Sequence, residues 1–239
     1  MKKTFILIIL FFASSVFTYG DGRYFSKVET GASPPAISDD FNRADNPLGA
    51  NWTVNEGTLA ISSNQFAVAG AAEVDCAASF NAASTTTVNQ WLRVVNKTTL
   101  VSGDYVYIDF RLTNSSNFVL VVFERATNVV WWATIKAGTF TYMSSSAALG
   151  NPIADDVIGI TVIGTGNNIV IRIWKNATGA APDAGGATWG SASPGVTFSD
   201  DPGTANLDTG NMLGLGGNIH AGGSANDILL DDFSGGDVP

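Results

Sequence analysis

Carboxylates are the most numerous reactive side chains in this 239-residue sequence, and they are unevenly divided. Of 21 acidic residues only Glu29, Glu56, Glu73 and Glu124 are glutamates. The aspartates suit turns and calcium ligation, whereas glutamate favours helices. Glycosidic hydrolysis needs two carboxyl groups about 5–9 Å apart. Asp109 and Glu124 fall on successive strand-like segments, but alternation is expected to put them on opposite faces, Asp109 beside tyrosines and Glu124 with Phe118, Leu120 and Val122. His220 is the only histidine, in the glycine-rich stretch 214–223. With no nucleophile beside it, it reads as a solvated loop residue rather than a base. Cys76 is the only cysteine, so one His and one Cys cannot close a zinc site and no internal disulfide can form. Cys76 alternates with Val74, Ala78 and Phe80 and reads as a small core hydrophobe. No Gly-x-Ser-x-Gly elbow or phosphate loop occurs. The sequence contains no recognisable catalytic motif.

A second set of residues points to binding. In 104–112, Val106, Ile108, Phe110 and Leu112 alternate with Tyr105, Tyr107, Asp109 and Arg111. The second group is therefore expected to face outward. In 169–175, Ile169, Ile171 and Ile173 turn inward, leaving Arg172 and Trp174 outward. Trp131 and Trp132 are consecutive, so one of them faces outward, and Trp132 is placed in this set. Flat aromatic rings stack on the C–H face of a sugar, while Asp and Arg bond its hydroxyls. Tyr105, Tyr107, Asp109, Arg111, Trp132, Arg172 and Trp174 thus form a candidate glycan platform. The same residues could instead stabilise the sheet through cross-strand contacts, or pack beneath the long loop 177–217.

Short alternating segments must carry these side chains. They fall at 58–61, 66–68, 74–80, 88–95, 104–112, 117–125, 129–136, 139–143, 157–163, 169–175 and 228–233, with no convincing amphipathic helix. This predicts an all-β, two-sheet antiparallel sandwich. One domain of this length can bury roughly 70% of its unfolded surface without disulfides or metals. Only 14% of residues are charged and the net charge is −9, so no electrostatic footprint for nucleic acid exists. Lys2 and Lys3, the apolar run Phe5–Phe12 and small residues up to Gly20 read as a signal peptide over 1–20. The apolar run is too short to span a bilayer, so no membrane span is expected after cleavage. Residues 21–36 read as a linker and 37–239 as the domain, secreted or at a cell surface.

The stretch Asp39-Asp40-Phe41-Asn42-Arg43, followed by Leu48-Gly49 and Trp52, resembles the opening of laminin-G-like jelly rolls of the concanavalin A-like lectin/glucanase superfamily. Leu230-Asp231-Asp232-Phe233-Ser234 resembles their closing strand, and Asn117-Phe118 and Lys136-Ala137-Gly138 fit the middle. The resemblance implies that first and last strands are neighbours, bringing Asp39, Asp40, Asp231 and Asp232 together. Four such carboxylates repel unless compensated, and calcium could serve, taking oxygens at about 2.3–2.6 Å. Turn capping by each Asp is the alternative. The superfamily's glucanase strand, Glu-x-Asp-x-x-Glu, is absent. Of its alginate-lyase strands only the beginning Lys136-Ala137-Gly138 occurs, and Asn218-Ile219-His220 follows it in the wrong order.

The resulting expectation is a secreted, non-catalytic binding or adhesion module whose partner is a glycan or cell-surface polysaccharide. Two alternatives stand: a polysaccharide-degrading glycoside hydrolase or lyase with a divergent site, and a self-associating structural protein of a cell surface, matrix or virion.

Overall fold

The computed structural model describes residues 14–18, 24–28, 37–44, 47–203 and 207–239. Two compact units divide the chain, one up to Pro35 and one from Ala36. In the first, β1 (Ser14–Thr18) pairs antiparallel with β2 (Tyr24–Val28), Ser14 opposite Val28. The remainder of the expected signal peptide and linker lies outside the described residues.

The second unit holds β3 (Ile37–Asp39), β4 (Trp52–Glu56), β5 (Leu59–Ser62), β6 (Gln65–Val68), β7 (Cys76–Phe80), β8 (Gln90–Asn96), β9 (Tyr105–Asn114) and β10 (Asn117–Glu124). It continues with β11 (Val129–Lys136), β12 (Thr139–Ser146), β13 (Val157–Ile163), β14 (Val170–Lys175), β15 (Val196–Phe198), β16 (Met212–Asn218) and β17 (Leu229–Asp237). Every pairing is antiparallel. One sheet runs β12-β11-β10-β9-β16-β7-β4 and the other β15-β14-β13-β8-β17-β6-β5, with β3 added beside β17. The protein is the expected two-sheet β-sandwich.

Period-2 alternation builds its core. Val106, Ile108 and Phe110 of β9 and Val119, Val121 and Phe123 of β10 meet Leu92 and Val94 of β8, Ile160 and Val162 of β13 and Ile171 and Ile173 of β14. At one end Trp52 lies 5.1–5.8 Å, ring to ring, from Phe41, Phe66, Phe80 and Phe233.

The stretch expected as the loop 177–217 contains β15 and nearly all of β16. The alternation of β16 is invisible in sequence because its outward positions are Gly214 and Gly216. Space forces this: a Cβ at Gly216 would lie 2.2 Å from the Cys76 carbonyl oxygen. The remaining loop covers the outer face of the second sheet. There Trp189 packs edge-on against Trp91 and Trp174, with centroids 5.8 and 5.6 Å apart. Trp189 can settle on β13 only because position 159 is glycine, where a Cβ would come within 2.7 Å of its ring.

Two of the departures from simple alternation bear on the expected site residues. Arg111 has φ 51°, and the register of β9 against both neighbours shifts beside it. This bulge turns its side chain into the structure. Asp232 has φ 48° within a register shift of β17 against β8.

Candidate ligand face and its end cleft

The register of the seven-stranded sheet defines one outer face. Cross-strand partners share a face, and one row reads Trp131, Val122, Tyr107, Gly216, Ala77. The next reads Tyr142, Ala133, Leu120, Asp109, Gly214, Ser79. Large rings therefore occupy one half of the face and small residues the other. Strands are about 4.8 Å apart, so Tyr107 stands roughly 10 Å from Trp131.

The aromatic half is an open cluster. Phe140 and Tyr142 on edge strand β12 are 54% and 52% exposed. Both rings lie 6.1 Å from that of Trp131, Phe140 edge-on. The Trp131 indole N–H donates to Glu124 Oε2 at 2.9 Å, which sets the ring's orientation. Toward the other half, the Tyr105 and Tyr107 rings are 6.4 Å apart. Tyr107 donates to Asp75 Oδ1 at 2.6 Å, and Asn218 donates to the same oxygen at 2.8 Å. Burial and this bond to Asp75 push the Tyr107 hydroxyl pKa far up.

Of the seven residues expected on a ligand face, Tyr105 and Tyr107 lie here, half-buried. Asp109 shares the face but is 2% exposed, with Oδ2 over Gly214 and Oδ1 without a hydrogen-bond partner. Burial raises its pKa to about 7. The expectation that Glu124 faces away from Asp109 is corrected: Asp109 opposes Leu120, and Glu124 opposes Tyr105, on the same face. Four residues of extended strand, roughly 13 Å, still separate their positions, beyond a glycosidic pair.

Three expected outward residues are buried and a fourth, Arg172, is half-buried. Arg111, turned in by the bulge, is fully buried and donates to the carbonyls of Val88, Leu207 and Gly164. Burial brings its pKa down to about 10. Trp132 has the opposite parity from Trp131 and enters the core, its N–H donating to Asp200 Oδ2 at 2.8 Å. Trp174 is outward on the second sheet, as alternation requires, yet the loop buries it, and its N–H donates to the Ala192 carbonyl. Arg172, half-buried beside it, donates to the Gly186 carbonyl. The packing alternative open for these two is the arrangement found.

The calcium expectation does not fit the aspartates present. β3 and β17 do pair, with Asp39 opposite Phe233. Asp39, however, is saturated: Arg43 donates two bonds at 2.6 and 2.9 Å, the Trp52 indole one at 2.7 Å and the Phe41 amide one at 2.8 Å. Burial opposes its ionisation, but these bonds outweigh it and hold its pKa below the usual value. Arg43 thus supplies the positive charge assigned to a cation. Asp40 is exposed and accepts the Asn42 amide; Asp232 lines a cleft with Asp39 and Asp40, and Asp231 is close enough to feel the Asp40 charge, but Arg43 and Arg93 line that cleft as well and supply positive charge there. Among the described residues no group of three or more His, Cys, Asp or Glu is placed to hold a metal.

At the Tyr105 end of the face lies a cleft of about 390 Å³ that sequence reasoning missed. His220 borders it, bonded through Nδ1 to Asp104 Oδ1 at 2.8 Å. Asp104 is fully buried. The two residues are 116 positions apart, so no local signal pairs them. The strand parity of Phe140 and Tyr142 was visible in sequence, but their openness depends on β12 lying at an edge.

No family model matches the sequence, and no curated protein sequence does. Solved structures do match in shape. The carbohydrate recognition domain of Emp47p superposes with a TM-score of 0.53 at 6% identity, over 84% of this chain and 93% of that one. That of Emp46p in metal-free form gives 0.53 at 7% identity, over 86% and 97%. Its potassium-bound form gives 0.51 at 6% identity, over 85% and 97%. The chain has the concanavalin A-like jelly-roll fold. In this jelly roll the aromatic cluster and the end cleft sit on the outer surface of the β12-to-β4 sheet. At such identities the likeness concerns fold alone.

Proposed function

We propose that this jelly roll is an exported, non-catalytic glycan-binding module, with residues 1–20 serving as a removable export signal. The observation that carries the reading is the open cluster of Trp131, Phe140 and Tyr142 on one sheet face, within two strands of Tyr107. Exposed rings of this size on a rigid sheet are stacking surfaces for the apolar face of a sugar. Glu124 stands beside them as a hydroxyl partner, and Tyr105, Asp75 and Asn218 offer others toward the Tyr107 half of the face. Burial of Arg111, Trp132 and Trp174 moves the centre of this surface from them to β11 and β12.

The test is calorimetric titration of the protein with soluble oligosaccharides of several backbone linkages. At least one should bind, and Trp131→Ala should weaken it about tenfold, the worth of one stacking contact. Unchanged affinity in both Trp131→Ala and Tyr142→Ala would remove this face from the reading.

A further inference from the structure

The end cleft has a chemistry different from that of the aromatic cluster. Asp104 accepts the Val101 amide at 2.8 Å through Oδ2, and the His220 amide at 3.2 Å and Nδ1 at 2.8 Å through Oδ1. In the neutral ring with its proton on Nδ1 toward Asp104, Nε2 is an acceptor. No described residue bonds Nε2, and the His220 side chain is 26% exposed along the cleft. The close fit is local: Gly103 has φ 97°, and a Cβ on it would stand 2.6 Å from the His220 Cβ.

Two further acceptors line the same cleft. Asn218 spends its Nδ2 on Asp75, which leaves Oδ1 free to accept. Glu73 contributes an exposed carboxylate, and Tyr105 a ring and a hydroxyl. Among the described residues, no lysine or arginine lines the cleft. An imidazole nitrogen, an amide oxygen and a carboxylate beside an aromatic ring make a set rich in acceptors and negative charge. Its complement is rich in donors and carries a positive charge.

We propose that the cleft is a subsite for a protonated primary amine on a sugar ring, so that the bound glycan contains unacetylated amino-sugar units. An ammonium offers three donors and no acceptor, and is attracted to a tyrosine face within about 6 Å. An N-acetyl group in its place offers one donor, adds an acceptor and carries no charge. Acidic sugars are repelled by Glu73 and by the chain's net charge of −9. This inference rests on the glycan-binding reading above and specifies its ligand.

The experiment compares three β-1,4-linked oligomers of equal length, made of glucose, N-acetylglucosamine or glucosamine, by calorimetry with the full chain. The measurement is made at about pH 6, below the α-amino range of about 7.7–8.0, where the amine on a sugar ring carries its proton. The glucosamine oligomer should bind about tenfold tighter than the other two, from one exposed ion pair and one cation–π contact. That preference should shrink as salt rises. Glu73→Gln should weaken the glucosamine oligomer about three- to fivefold. His220 is the only histidine, so its imidazole resonances report the cleft without assignment. They should shift with glucosamine oligomer and stay in place with glucose oligomer. Equal affinities for all three oligomers, with Trp131→Ala weakening each, would overturn the amine subsite and leave the glycan reading standing. Failure of all three to bind would overturn the amine subsite, while the glycan reading falls only if the other backbone linkages fail as well.

Discussion

Asp109 lies on the outer face of its sheet yet has almost no contact with water. Burial raises its pKa to about 7, so the folded protein holds a proton there that the unfolded chain releases near pH 4. The sign follows directly. Between those values the native state binds more protons, so this group's stabilising effect is complete below about pH 4 and fades as pH rises to about 7. The loss amounts to about 1.4 kcal/mol per pH unit over that window. Asp109→Asn keeps the shape and removes the titration. Urea unfolding of both proteins at pH 5 and pH 8 should show the variant gaining relative to wild type at the higher pH. A difference independent of pH would mean that Asp109 is ionised in the fold. Asp39 and Asp237, whose pKa values are lowered, titrate in both proteins and cancel in the comparison. Arg111 teaches a related lesson. Its alternation with Leu112 was plain in sequence, but one residue at positive φ reversed its direction.

The pairing of β3 with β17 was implied by the two Asp-Asp-Phe segments, while its chemistry was not. Asp39 gathers Arg43, Trp52 and the Phe41 amide, fixing the entry of the chain against the ring cluster of Trp52 and Phe233. Asp39→Asn leaves the guanidinium without its counter-charge. It should cost about 2 kcal/mol, less than for a fully buried pair because Arg43 is one-third exposed. Added calcium or EDTA should leave the melting temperature unchanged. A calcium-dependent rise that Asp39→Asn abolishes would show that a cation displaces Arg43 there. Among the strands, β9 was legible because Val, Ile, Phe and Leu alternate with polar or tyrosine side chains, β14 because its isoleucines recur at every second position, and β10 and β13 because they are short, mostly apolar runs rich in β-branched residues. β16 was not, because its outward positions must be glycine for β7 and β9 to approach.

At the scale of the molecule, the exposed rings of Phe140 and Tyr142 lie on an edge strand, where a second copy could also pair. The glycan reading requires that face to be free in solution. Light scattering of the 24.9 kDa chain should therefore give a monomer mass. A stable oligomer that protects Phe140 and Tyr142 from solvent would favour the self-associating alternative. The sequence by itself determined the β class and the inward residues of most strands, because these depend on period-2 alternation, whereas the meeting of the first and last strands of the domain was implied by the family resemblance of their Asp-Asp-Phe segments and not by alternation. Tertiary structure alone decided which outward side chains reach water. The loop carrying Trp189 covers Trp174, and the β9 bulge buries Arg111. The two sheets enclose Trp132 and leave Trp131 outside, and a contact between positions 104 and 220 builds the end cleft. Exposure and long-range pairing depend on what packs over a strand, and alternation within a strand carries no information about that.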